Sequence, residues 1–160
     1  MSPSTFSQDF DDLIAELNDG EVDFVVVGAH ALAAHGHVRA TGDLDIFVRP
    51  TPDNATRIIH ALTRFGAPLA AHKITAKDFA APGAVYQMGL PPNRIDLLTE
   101  LSGVDFDECL EESVAGVLGQ NPVRFIGIRA QIRNKVATGR TKDLADAEVL
   151  QALLHRNTCT

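Results

Sequence analysis

The chain has 160 residues, 45% of them hydrophobic and 22% charged, with a formal net charge of -7. That length supports one domain, 1–160, with a real hydrophobic core, and the acidic balance argues against a broad nucleic-acid footprint. No apolar run approaches the roughly 20 residues that span a bilayer, so no membrane partner is expected. The N-terminal MSPSTFSQDF lacks a basic region followed by an apolar one. Cys109 and Cys159 lie far apart and read as free thiols, so the expected location is the cytoplasm.

Residues 1–5 read as a frayed end. Phe6, Phe10, Leu13, Ile14 and Leu17 then recur at helical spacing, with Gly20 as a stop. DFVVVG (23–28) is short and β-branched, a buried strand. AHALAAHG (29–36) is a short alanine-rich helix ending at Gly36. DLDIFV (43–48) alternates with period two. TPDNATRIIHALTRFG (51–66) is a helix with Pro near its start and Gly at its end. AVYQMGL (84–90) and RIDLLTE (94–100) form a hairpin about PPN. DFDECLEES is a short acidic helix, and VRFIGI (123–128) is a strand. Two helices follow, RAQIRNKVATG and TKDLADAEVLQALLH, broken at 139–141. The pattern predicts one α+β domain, a mixed β-sheet flanked by helices with a helical C-terminus.

Residues i and i+2 of a strand share a face, so Asp43 and Asp45 project together while Leu44, Ile46 and Val48 face the core. Two adjacent carboxylates repel unless a cation sits between them. A hard cation such as Mg²⁺ takes oxygen ligands of this kind, and a solvated strand end is the plainer alternative. Asp96 interrupts a second apolar strand between Ile95 and Leu97. If the two strands are neighbours, three carboxylates can hold two metals. Gly28 permits a sharp turn or the close approach of a ligand, and the N–H groups of Ala29 and His30 are free to meet phosphate.

Charge is uneven. Asp96 to Glu112 holds seven acids and no Lys or Arg, whereas Asn121 to Lys142 holds six Lys or Arg and no acid. The basic stretch suits a phosphate-bearing ligand or a solvated helix face. Lys135 lies seven residues after Ile128 and three after Ile132, on their apolar side. A Lys turned inward reaches a phosphate or carboxylate, or packs its stem and leaves its ammonium in water. Arg129, Arg133 and Arg140 fall on another face, where they could bind an RNA acceptor or, the preferred reading, simply be solvated. Asp143 and Asp146 suit the first turn of the last helix, with an ion pair to Lys135 or Arg140 as an additional role. Arg39 can pair with a phosphate or with the acids themselves, and Thr41 can fix the loop. His30, His35 and His37 do not share a helix face, and the spacing argues against zinc.

The run VVVGAHALAAHG, then RATGDLDIFV, then RIDLL resembles the DNA polymerase β-like nucleotidyltransferase superfamily. Gly28, Asp43, Asp45 and Asp96 match its pattern in order and spacing. The nearest likeness is to small bacterial nucleotidyltransferase-like proteins of the abortive-infection and toxin–antitoxin type. They share the run His35, Gly36, Arg39, Thr41, Asp43, Asp45 and the later run Lys135, Arg140, Lys142, Asp143, Asp146. The resemblance covers about 22–155. It implies the polymerase β-like fold and binding of a nucleoside triphosphate with two Mg²⁺. Asp43 and Asp45 would bind both metals, and Asp96 would join them and help activate the acceptor. It also implies Gly28, Ala29, His30, Arg39 and Thr41 near the phosphates, with Lys135 in the catalytic set. A nucleoside monophosphate would pass to an acceptor hydroxyl, on tRNA or protein in a toxin-like role, with a cognate antitoxin as partner. Ala29 departs from the pattern, since many members place Ser or Gly there and a hydroxyl contact to phosphate is lost. The alternative is a non-catalytic nucleotide-binding or partner module that keeps the fold. Aminoglycoside-type modification of a small molecule is a third, without an acceptor pocket in the sequence to support it.

Overall fold

The computed structural model describes residues 7–38 and 42–158. The expected frayed end, Phe6, Arg39, Thr41 and Cys159 lie outside these residues. Among the described residues the elements run α1 (Gln8–Asp19), β1 (Phe24–Val27), α2 (Gly28–Ala34), β2 (Leu44–Val48), α3 (Pro52–Phe65) and α4 (Ala76–Phe79). There follow β3 (Val85–Met88), β4 (Ile95–Leu98), α5 (Phe106–Glu111), β5 (Val114–Leu118), β6 (Asn121–Phe125), α6 (Ile128–Thr138) and α7 (Thr141–Thr158). The strands form one mixed sheet in the order β3-β4-β2-β1-β6-β5, as the α+β reading expects.

Local chemistry accounts for most of these boundaries. The Ser7 hydroxyl accepts from the Asp9 N–H to start α1, which buries Phe10, Leu13, Ile14 and Leu17. Each such side chain contributes about 1.5–3 kcal/mol relative to exposure. Thr51 caps α3, Pro52 opens it and Gly66 closes it in the left-handed conformation. All four residues of β1 are buried, so both faces of that strand are covered.

Strand polarity decides where a site can form. β2 runs antiparallel to β1, with Phe24 opposite Val48 and Val27 opposite Asp45. β4 runs parallel to β2, pairing Asp45 with Asp96, and β6 runs parallel to β1. The C-terminal ends of β1 and β6 and the N-terminal ends of β2 and β4 therefore meet at one end of the sheet. The other end is closed by Asn54, a fully buried side chain of α3. Its Oδ1 accepts from the Asp23 N–H at 2.8 Å, and its Nδ2 donates to the Asp23 and Arg49 carbonyls at 3.1 and 3.0 Å.

Two elements were not expected from the sequence. α4 is a four-residue turn, too short for a helical period, held by the Thr75 N–H donating to Asp78 Oδ2 at 2.8 Å. β5 is an outer strand that leaves Val114 and Val117 exposed and carries Gly116 at its centre. It pairs with β6 antiparallel and so completes the sheet beside the strand read at 123–128.

Candidate active site

The register sets Val27, Asp45 and Asp96 in line across β1, β2 and β4. Neighbouring strands lie about 4.8 Å apart, so Asp45 and Asp96 are direct neighbours. Asp43 stands just before β2, and its Oδ1 accepts from the Arg94 N–H at 3.3 Å. The three aspartates singled out in the sequence thus form one cluster, with Asp96 buried and Asp43 and Asp45 half-buried.

Two glycines permit this approach. Gly28 has φ +67°, and a Cβ on it would overlap the Asp45 carboxylate. It serves the turn and also leaves room for an acid. Gly42 passes against the backbone of Pro92 in the β3–β4 turn, where any side chain would collide. The second contact was not legible, because nothing in the ATGD run reports on a turn fifty residues later.

Sequence reasoning missed Arg94. Its Nε donates to Asp96 Oδ1 at 2.9 Å and an Nη to Oδ2 at 3.3 Å, while the same Nη lies 3.5 Å from Asp43 Oδ2. The signal was present: Arg94 and Asp96 are two apart in RIDLL, and period two puts them on one face. Even with this guanidinium present, burial and then the Asp96 and Asp43 charges push Asp45 up to about 6. A carboxylate held in that state gains from any further positive charge brought beside it.

The facing wall comes from α6 and α7. Lys135 Nζ lies 3.1 Å from Asp143 Oδ1 and 3.2 Å from Asp146 Oδ2, and its side chain is mostly buried. Asp143 also accepts from Thr138 Oγ1 and from Arg140 Nε, both at 2.7 Å. Burial alone would raise Asp143, but these three hydrogen bonds outweigh it and hold the carboxyl at about 2. The ion pairs considered for this helix turn are therefore formed with both Lys135 and Arg140. Arg140 is exposed, in keeping with the solvated reading, and it also pairs with Asp143 and lines the cleft. Arg133, also read as solvated, is ion-paired with Glu112 and Glu108. Arg129 is exposed, in keeping with that reading.

Between the two walls is a cleft of about 390 Å³. Gly28, Ala29, Asp43, Asp45, Arg94 and Asp96 line one side, and Lys135, Arg140, Lys142 and Asp143 the other. His30 is not part of the lining. Its ring stands edge-on to Phe10 at 6.0 Å, and burial lowers its pKa against an opposing influence of Asp43. Its backbone remains in the turn after β1, which is the part of His30 the phosphate reading needs. His35 Nε2 meets the Ile126 carbonyl at 2.6 Å and His37 Nε2 meets Asp146 at 3.3 Å, so the three histidines serve separate partners. Gln131, buried on α6, donates to the Gly28 carbonyl at 3.0 Å and ties the two walls together.

The oxygen-only donor set of Asp43, Asp45 and Asp96 suits a hard divalent cation. Among the described residues no group of three or more His, Cys, Asp or Glu side chains stands so that it could hold a metal ion as it is. Arg94 stands among the acids instead. The donors fit such an ion in chemistry, and the raised Asp45 pKa fits it electrostatically.

No family model matches the sequence, and no curated protein matches it. Among solved structures, the fold is similar to that of a putative nucleotidyltransferase from Thermotoga maritima. The two are 12% identical over 92% of this chain and 91% of that one, with a TM-score of 0.56. No helix among the described residues is long and apolar enough to cross a membrane. The chain shares the fold of that protein, a mixed sheet flanked by helices, and carries its own carboxylate cluster at one end of the sheet.

Proposed function

We propose that the protein is a Mg²⁺-dependent nucleotidyltransferase that moves a nucleoside monophosphate from a nucleoside triphosphate to an acceptor hydroxyl. One observation carries this reading: Asp43, Asp45 and Asp96 converge on one wall of a cleft whose other wall presents Lys135, Arg140 and Lys142, with Asp143 among them. Acids that gather a hard cation thus face bases that attract a polyphosphate. In the reaction the acceptor oxygen bonds to the α-phosphorus, the bond to the β-phosphate oxygen breaks, and pyrophosphate leaves with that electron pair. Asp43, Asp45 and Asp96 would hold two Mg²⁺, which when bound supply Lewis-acid stabilisation of the attacking and leaving oxygens.

The chain's own groups do the rest. Gly28 and Ala29 offer backbone to the phosphates without a side-chain hydroxyl, so the cations opposite carry more of the binding. Lys135 is fixed by Asp143 and Asp146, and its ammonium meets a ligand without first losing rotamer freedom. Asp96 would accept the acceptor proton, and Arg39 and Thr41, which precede Asp43 in the sequence, would join the phosphate contacts. A hydroxyl on tRNA or on a protein suits a toxin-like role, with a cognate antitoxin as the controlling partner and the cytoplasm as the setting.

The second reading is a non-catalytic nucleotide-binding or partner module. Arg94 favours it, because a guanidinium already neutralises part of the acid cluster. Incubation with α-labelled nucleoside triphosphates, Mg²⁺ and total RNA or lysate separates the two. Label transfer is expected, reduced about 100-fold or more in Asp43→Ala with folding retained. Mg²⁺-dependent nucleotide binding without transfer to RNA, protein or small molecules supports the module instead.

A further inference from the structure

Arg94 makes a demand that the proposed chemistry does not explain. Its guanidinium bridges Asp96 and Asp43, two of the carboxylates that would hold metal. Guanidinium does not lose its proton in proteins, so its charge is permanent. A divalent cation on the same oxygens would face that charge at contact distance. Like charges at that distance oppose each other, so the metal reaches its full affinity only when the guanidinium moves off.

The geometry says which one moves and where it goes. Asp96 is buried and lies within β4, paired on both sides by β2 and β3, so its carboxylate has a fixed base. The Arg94 side chain is 31% exposed and lines the cleft, so its fork has room to rotate. A guanidinium that gives up a bidentate carboxylate needs an acceptor of similar shape, and the phosphates of a polyphosphate provide one. The cleft in front of Arg94 is bordered opposite by Lys135, Arg140 and Lys142.

We infer that Arg94 is a resident counter-cation that occupies the aspartates in the empty protein and transfers to the phosphates of the incoming nucleotide as metal takes its place. Metal and polyphosphate then bind with positive coupling, and each raises the affinity for the other equally. The inference rests on the proposed metal-dependent transfer and identifies what links its two ligands. It also removes the conflict between an acid cluster built for metal and an arginine standing in it.

The test is binding of Mn²⁺ and of inorganic tripolyphosphate to the intact chain and to Arg94→Gln and Arg94→Lys, followed by electron paramagnetic resonance and calorimetry. Arg94→Gln should bind Mn²⁺ alone about tenfold more tightly than the parent, in the ordinary range for coupled ligands. At saturating Mn²⁺ it should bind tripolyphosphate about tenfold more weakly. Arg94→Lys, whose ammonium cannot span two carboxylates, should fall between. It carries the test if the Gln variant fails to fold, as judged by circular dichroism. Unchanged Mn²⁺ affinity in the folded variants overturns the role of Arg94 while leaving metal-dependent transfer standing. Failure of every protein to bind Mn²⁺, with or without tripolyphosphate, overturns both.

Discussion

Asp45 shows how a single residue can be costly to the fold and useful to a site. Its pKa rises from an ordinary carboxylate value to about 6, through burial first and then its two acidic neighbours. In the unfolded chain it ionises near pH 4, so between about pH 4 and 6 the folded state binds more protons than the unfolded one. Stability is therefore lost as pH rises through that window, and the penalty is fully present at pH 7. Asp45→Asn removes it. Metal-free Asp45→Asn should be more stable than the parent by roughly 2 kcal/mol at pH 7, a figure reduced for the partial exposure of the side chain. The gain should vanish below about pH 4, where both forms are neutral. Urea melts at the two pH values measure it. The two aspartates of the DLD run and Asp96 were legible because period-two alternation marks an acid that breaks an apolar face. Their convergence was not, since strand order is absent from a single sequence. Arg94 is legible by the same alternation, which places it beside Asp96, but a cation just ahead of a strand looks solvated until the neighbouring acids are seen to surround it.

At the scale of elements, helices with caps and glycine stops were read nearly to the residue, from α1 through α3 and again across the break at Gly139. Elements with exposed apolar residues or only one turn were not, which is why β5 and α4 were missed. Periodicity reports burial on one side, and an outer strand such as β5 has little of it. Asn54 was passed over within a well-read helix, because a lone polar residue on an amphipathic helix looks solvated. The structure makes it the clasp between β1 and β2 at the end remote from the cleft. Asn54→Ala would leave the Asp23 N–H without its partner and a gap in the core, while the Asp23 and Arg49 carbonyls keep the Arg49 and Thr51 N–H groups. It should cost about 2–3 kcal/mol in chemical denaturation while leaving metal and nucleotide binding intact.

For the whole molecule, two carboxylates set opposite slopes on the stability curve. Asp143 is held at about 2 by Thr138, Lys135 and Arg140 against its burial, so its contribution is complete above about pH 4 and is lost as pH falls towards 2. The Asp45 penalty disappears as pH falls from about 6 to 4. In metal-free protein the combined contribution of these two carboxylates should thus peak near pH 4–5, while the lowered His30 works the other way and adds stability as pH rises towards 6.5. Mg²⁺ bound to the acids should lift the neutral limb. Denaturation midpoints from pH 2 to 8, with and without Mg²⁺, give the curve, and Asp45→Asn should flatten its upper limb. The alignment of Val27, Asp45 and Asp96 has one more consequence. Side chains alternate along a strand, so a one-residue slip of β4 would bring Ile95 or Leu97 to the cleft and drive Asp96 into the core. A misthreaded chain would be unstable and unreactive for the same reason. This fold inspects its own assembly, and a molecule that survives the inspection already has its acids in place.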